Sequence, residues 1–180
     1  YHISTALGNE YVTGADYIEW GSGSAGWLYK YQMKGLETKI YGFESEIDYN
    51  LTKNIKIFTS LSISRGENLS EKIPLSYMPP DKFILSAELN LNPFTMDLIY
   101  KQALKQSRLG EFERPTNGYS IFDLNTSYTR NSERLMHKFI LGVENIFNRE
   151  YYNHLSRIKL VMPEKGRSIN VQYRLIFWQI

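Results

Sequence analysis

From Thr38 to Phe177 one pattern recurs: apolar residues at every second position, polar residues between them, then a turn. Tyr41, Phe43, Ile47 and Tyr49 alternate with Gly42, Glu44, Glu46, Asp48 and Asn50. Ile55, Ile57, Leu61 and Ile63 alternate with Lys56, Ser60, Ser62 and Ser64. The same holds for Phe83–Leu91, Met96–Tyr100, Phe122–Tyr128, Phe139–Val143 and Ile169–Phe177. A period of two puts successive side chains on opposite faces of a strand, whereas an amphipathic helix repeats every 3.6 residues. No run approaches the roughly 18 apolar residues of a membrane helix.

Thr52-Lys53-Asn54, Asn92-Pro93 and the stretch from Asn131 to His137 are short polar turns. Between them lie long loops at about 9–36, 65–78, 105–118 and 149–166, and residues 1 to about 8 are the end of a further strand. Seven strands are clear and an eighth is available at the start. An antiparallel sheet with one apolar face can be soluble, with that face turned inward. It can also be a transmembrane β-barrel, with that face against lipid and a wet lumen behind it. Strand after strand has a complete apolar face and Glu, Asp, Lys or Arg on the other, and tight turns alternate with long loops. Both features favour an all-β, antiparallel, up-and-down transmembrane β-barrel. Closed single-chain bacterial barrels have even strand numbers, so the chain is expected to be either an eight-stranded barrel or the end of a larger one.

Composition agrees. Fourteen tyrosines suit strands and interfacial girdles. A net charge of +2 with scattered basic residues gives no stripe for nucleic acid. The absence of cysteine removes disulfides and thiolate metal sites. The chain opens on Tyr1-His2-Ile3 without a signal peptide and reads as a mature piece or a fragment.

Candidate chemistry is sparse. Gly21-Ser22-Gly23-Ser24-Ala25-Gly26 matches G-x-G-x-x-G by letter, but a strand-like stretch follows where a dinucleotide site needs a helix, so it reads as a loop. Glu44, Glu46 and Asp48 share a face and read as lumen wall facing Lys56, Lys82 or Lys101 rather than as acid–base catalysts. Trp20, Trp27 and Tyr29 could stack on a planar ligand, and Arg114 and Arg157 could attract an anionic chelate. Interfacial packing and solvated loop charge are the competing readings. His154, with Met162 and Glu164 in the same loop, is the weak candidate for a metal or heme contact; one loop histidine is more often solvated. No catalytic constellation stands out, and a serine enzyme would depend on Ser156 beside His154.

Several short motifs carry a resemblance. Ile40-Tyr41-Gly42-Phe43-Glu44, Pro79-Pro80-Asp81-Lys82, Tyr119-Ser120-Ile121-Phe122-Asp123-Leu124, the stretch Gly142 to Tyr152 with Asn145, Phe147 and Tyr151, and Gly166-Arg167 follow one another in order. Together they resemble the C-terminal part of the 22-stranded barrel of TonB-dependent outer-membrane receptors, over about residues 40 to 177. The chain differs in continuing Trp178-Gln179-Ile180 past Phe177, where the family usually ends on an aromatic residue. The resemblance implies that residues 1–180 are barrel wall and extracellular loops in the bacterial outer membrane, with the lipid bilayer as solvent. It implies active uptake of a scarce ligand, such as a ferric siderophore, heme, cobalamin or a metal ion, driven by TonB-ExbB-ExbD pulling on a plug. The plug and TonB box are not in this stretch, and no cofactor is implied. Tyr152 to Arg157 is similar to a variant in some metal, heme or cobalamin receptors. The rival expectation is a small eight-stranded barrel acting as an anchor, an adhesin or a lipid-modifying enzyme.

Overall fold

The computed structural model describes residues 2–11, 17–19, 27–29, 31–111 and 113–177, with side chains from residue 35 onward. All of its regular elements are strands. In chain order they are β1 (His2–Tyr11), β2 (Tyr17–Glu19), β3 (Trp27–Tyr29), β4 (Tyr31–Asn50), β5 (Ile55–Asn68), β6 (Ile73–Pro74), β7 (Lys82–Leu91), β8 (Phe94–Ala103), β9 (Tyr119–Asn131), β10 (Leu135–Glu144) and β11 (Ser168–Phe177). The main sheet runs β1-β4-β5-β7-β8-β9-β10-β11, every neighbour antiparallel, with β6 paired to β5. Strands β2 and β3 form a hairpin of their own within the first long connection.

Strand β4 begins at Tyr31, not near Thr38, and β1 extends to Tyr11, so part of the loop expected at 9–36 is strand. The extension is a consequence of pairing: Leu7 to Tyr11 hydrogen-bond onto Gly35 to Tyr31, where the residues themselves do not alternate cleanly. His137 also lies in β10 instead of a turn, with Nδ1 2.8 Å from Tyr173 Oη.

From β4 to β11 the register of the main sheet aligns the outward positions of neighbouring strands. Phe43 faces Ile63, Thr59 faces Leu85, Leu98 faces Leu124, and Leu141 faces Val171. A one-residue slip would move all of these to the polar face. Yet this face is not covered. Among the described residues only Ala103 and Ile121 are buried hydrophobics, while Phe43, Ile47, Phe94, Leu98, Phe139 and Val171 are exposed. A soluble sheet buries its apolar face, so continuous exposure on this scale marks a surface built to meet an apolar phase.

Aromatic rows bound that surface. Toward the short turns, Phe94, Tyr128, Phe139 and Tyr173 form a chain across β8 to β11, with ring centroids 5.0, 6.4 and 4.9 Å apart. Toward the long loops, Phe83, Tyr100, Phe122 and Phe147 do the same at 6.5, 4.9 and 5.5 Å. Phe94 and Tyr100 are six residues apart on β8, about 20 Å along the strand. Two girdles flanking an apolar band are the signature of a barrel wall in a bilayer.

Turn length sorts by end. At one end lie the tight connections 51–54, 92–93 and 132–134. Thr52 Oγ1 closes the first by accepting from the N–H groups of Asn54 and Ile55, at 3.2 and 3.0 Å. At the other end lie the connections 12–30, 69–81, 104–118 and 145–167.

Candidate functional site

The polar face is a wall of charges. Asp48 pairs with Lys56 at 2.8 Å, as cross-strand spacing predicts. Lys101 reaches Asp123 at 2.7 Å instead of the β4 carboxylates, and Glu144 is paired with Lys165. Asp123 is buried, and its Oδ1 accepts the backbone N–H of Asn145 at 2.7 Å.

Asn145 begins the turn that carries the chain off β10. Its φ of 50° is left-handed, a conformation asparagine tolerates better than most residues. Its Oδ1 accepts from Arg149 N at 2.9 Å and its Nδ2 donates to Arg149 O at 2.8 Å. Ile146 N donates to Phe122 O, which ties the turn to β9. Asn148 (φ 52°) then accepts from Arg167 N through Oδ1 at 2.8 Å, so the entry to β11 is held by the exit from β10. A Cβ at Gly166 would come within 2.6 Å of that same Oδ1. Tyr151 packs on Tyr119 at 4.4 Å, and Phe147 joins the aromatic row. The motif residues Asn145, Phe147, Tyr151, Gly166 and Arg167 are therefore one structural knot joining β9, β10 and β11. Gly42, in the other motif, sits where a Cβ would meet Ile63 O at 2.5 Å, between exposed Phe43 and Tyr41; Glu44 accepts from Ser62 Oγ at 3.4 Å.

The long loops are fastened to one another. Arg65 grips Asp81 with both guanidinium nitrogens, and Leu104 N donates to Asp81 O. Gln106 Nε2 donates to Met78 O and Pro79 O at 3.0 and 3.2 Å, while its backbone pairs with Thr116. Above this lies a sealed polar cluster. The side chains of His154, Glu113 and Lys159 are 1%, 3% and 7% exposed. His154 Nε2 is 2.8 Å from Glu113 Oε1, close but off the line of a straight N–H···O bond, so we read the contact as electrostatic. Nδ1 is 2.9 Å from Thr116 Oγ1 and 3.3 Å from Lys159 Nζ. Lys159 Nζ also donates to His154 O at 2.9 Å and lies 3.4 Å from Glu113 Oε1. Glu113 accepts two backbone N–H groups, Tyr77 at Oε1 (3.1 Å) and Gly110 at Oε2 (3.3 Å). An ammonium only donates, so its approach assigns the lone pair to Nδ1 and the hydrogen to Nε2. Burial pushes His154 below the ordinary imidazole range and Lys159 adds to this; Glu113 opposes them with less effect.

Hydroxyl, imidazole and carboxylate in a row imitate a nucleophile, its base and an orienting acid. Thr116 is buried, however, and the ammonium of Lys159 competes for the same imidazole nitrogen. The cluster is built to join loops 69–81, 104–118 and 145–167.

The proposed ligand contacts are differently placed. His154 is buried in that cluster, while Arg114 and Arg157 are exposed on the loops. Met162 is 60% exposed, and Glu164 uses its backbone N–H on Tyr151 O. The structure does not bring His154, Met162 and Glu164 together, and no group of three metal-ligating side chains occurs among the described residues. Ser156 does not partner His154; Thr116 does. Trp20 and Gly21 to Gly26 lie outside the described residues, as do the side chains of Trp27 and Tyr29, whose backbones form β3. Glu113, Thr116 and Lys159 have no sequence signal, because period-two patterning says nothing about which loop residues meet.

No protein-family model matches the sequence, and no curated protein does. Solved structures match. Copper transporter OprC superposes with a TM-score of 0.72 at 24% identity, covering 77% of this chain and 24% of that one. The FpvAI–pyocin S2 complex superposes with a TM-score of 0.61 at 17% identity, covering 95% of this chain and 22% of that one. This chain thus spans about a quarter of the length of either structure. At such identities the likeness establishes architecture, and the knot at Asn145, the paired girdles and the sorted loops are consistent with it. The fold of this chain is that of the matching antiparallel β-sheet in these two structures, about a quarter of each.

Proposed function

We propose that this chain forms wall and extracellular loops of an outer-membrane receptor for TonB-dependent uptake of a scarce ligand. The observation that carries the reading is the sheet itself: one exposed apolar face between two aromatic rows, one charged face, and all long connections at one end. In this reading the apolar face meets the bilayer, the charged face lines the lumen, and the long loops face the exterior. Residues 1–180 then belong to the C-terminal part of the barrel, and TonB-ExbB-ExbD act through a plug supplied outside this stretch. Ferric siderophores, heme, cobalamin and metal ions are the ligand classes to test, with Arg114, Arg157 and the aromatics Trp20, Trp27 and Tyr29 as candidate loop contacts. The likeness to a copper transporter supports including a metal ion or its chelate in that panel.

An eight-stranded anchor or lipid-modifying enzyme fits less well. The ends of the main sheet, β1 and β11, do not pair with each other among the described residues. In hydrocarbon, open edges leave backbone groups unsatisfied at several kcal/mol each. The test is ligand-dependent uptake by cells expressing the whole polypeptide, with and without TonB. Uptake of one ligand that disappears without TonB supports the proposal. Uptake indifferent to TonB refutes it, as does an intact mass in detergent matching these residues alone with no companion fragment.

A further inference from the structure

We propose that Glu113, His154 and Lys159 form an acid-released latch that makes the three long loops 69–81, 104–118 and 145–167 move as one lid. Each loop contributes to the cluster. Loop 69–81 brings the N–H of Tyr77 and its ring, 5.8 Å from Lys159 Nζ. Loop 104–118 brings Glu113, Thr116 and the N–H of Gly110. Loop 145–167 brings His154 and Lys159. The charged and titratable groups facing the imidazole are Glu113 and Lys159, with Tyr77 beyond the ammonium.

The donor count makes the arrangement sensitive to one proton. The three N–H bonds of Lys159 are matched by His154 O, His154 Nδ1 and Glu113 Oε1. With Nε2 already carrying hydrogen, an added proton goes to Nδ1. The new N–H then faces Thr116 Oγ1 and Lys159 Nζ. Thr116 can turn its hydroxyl to accept, but an ammonium cannot. Lysine loses a partner and gains a like charge 3.3 Å away in a site sealed from water. Glu113 attracts the imidazolium from the Nε2 side, but burial and Lys159 together outweigh it.

The direction with pH follows. The folded state holds His154 below its unfolded value, so it binds fewer protons than the unfolded state. The latch is at full strength above the ordinary imidazole value of about 6.5 and weakens as pH falls from there through the depressed value. Glu113 accepts the N–H groups of Tyr77 from loop 69–81 and of Gly110 from its own loop, so loosening of Lys159 and His154 removes the contacts that hold the carboxylate in place to accept them.

Hydrogen exchange of the whole polypeptide in detergent, at about pH 7.5 and about pH 5 and corrected for the intrinsic pH dependence of exchange, tests this. Protection of the Tyr77 and Gly110 amides is expected to fall about tenfold in acid, while strand amides of β8 and β9 hold. His154→Gln, which cannot take the proton, is expected to abolish the acid response. Lys159→Met removes the opposing cation, so acid should leave protection unchanged or raise it. Unchanged protection in the wild type, an equal acid loss in His154→Gln, or a loss shared by the strands would each overturn the latch. The readout needs no ligand, so it succeeds or fails independently of the transport reading.

Discussion

Asn145 shows how much one side chain can organise. It occupies a left-handed backbone position, closes a ring with Arg149 through both ends of its amide, and caps the buried Asp123 carboxylate with its own N–H. Asn145→Ala removes two side-chain hydrogen bonds at about 1 kcal/mol each and adds a left-handed penalty of about 1–2 kcal/mol. The expected loss is about 2–4 kcal/mol in denaturant unfolding from micelles, with Asn145→Gly recovering the backbone part. The letters around Asn145 were readable as a motif, but not their physical reason, because Asp123 and Phe122 come from β9 and Arg167 from the far end of the connection to β11. His154 stood out in the sequence as a candidate loop contact, but its burial did not, because burial by two other loops leaves no mark on its own loop.

At the scale of the strand, alternation decides which face meets which medium. Leu124 faces Leu98 on β8 and Val143 on β10, in mid-band between the aromatic rows. Leu124→Arg is expected to cost about 2–4 kcal/mol in folding into lipid vesicles, the usual cost of a cation at the bilayer midplane. Ser60→Lys places a cation on the charged face opposite Glu46 and should stay within about 0.5 kcal/mol of the wild type. Equal costs for the two would mean that the faces are wrongly assigned. Strand bodies were legible from residue pattern alone, whereas the lengths of β1 and β4 were not. Their added residues are strand because each satisfies the other's backbone, and no side-chain period records that.

At the scale of the molecule, the proposed function gives the sheet a hydrocarbon side and a water side. The sequence contains no cysteine, so single introduced thiols report on each side without background. Phe43→Cys, Leu98→Cys and Val171→Cys are expected to resist a membrane-impermeant thiol reagent in vesicles. Glu46→Cys, Ser60→Cys and Gln172→Cys should react from the aqueous lumen unless a plug shields them, and removal of the plug should then expose them. Reaction at Leu98→Cys at the lumen rate would remove the bilayer from the account.

Sequence by itself determined the strand class, the two faces, the sorting of turns from loops and the resemblance of the motifs, because all of these are local or periodic properties of the chain. Only the tertiary structure decided that Asp123, Asn145 and Arg167 form one knot, and that Glu113, Thr116, His154 and Lys159 meet in a sealed cluster. The reason lies in sequence distance: Glu113 and His154 are brought together by the antiparallel pairing of β9, β10 and β11, and contacts made by loops across a sheet carry no repeat that a reader could find beforehand.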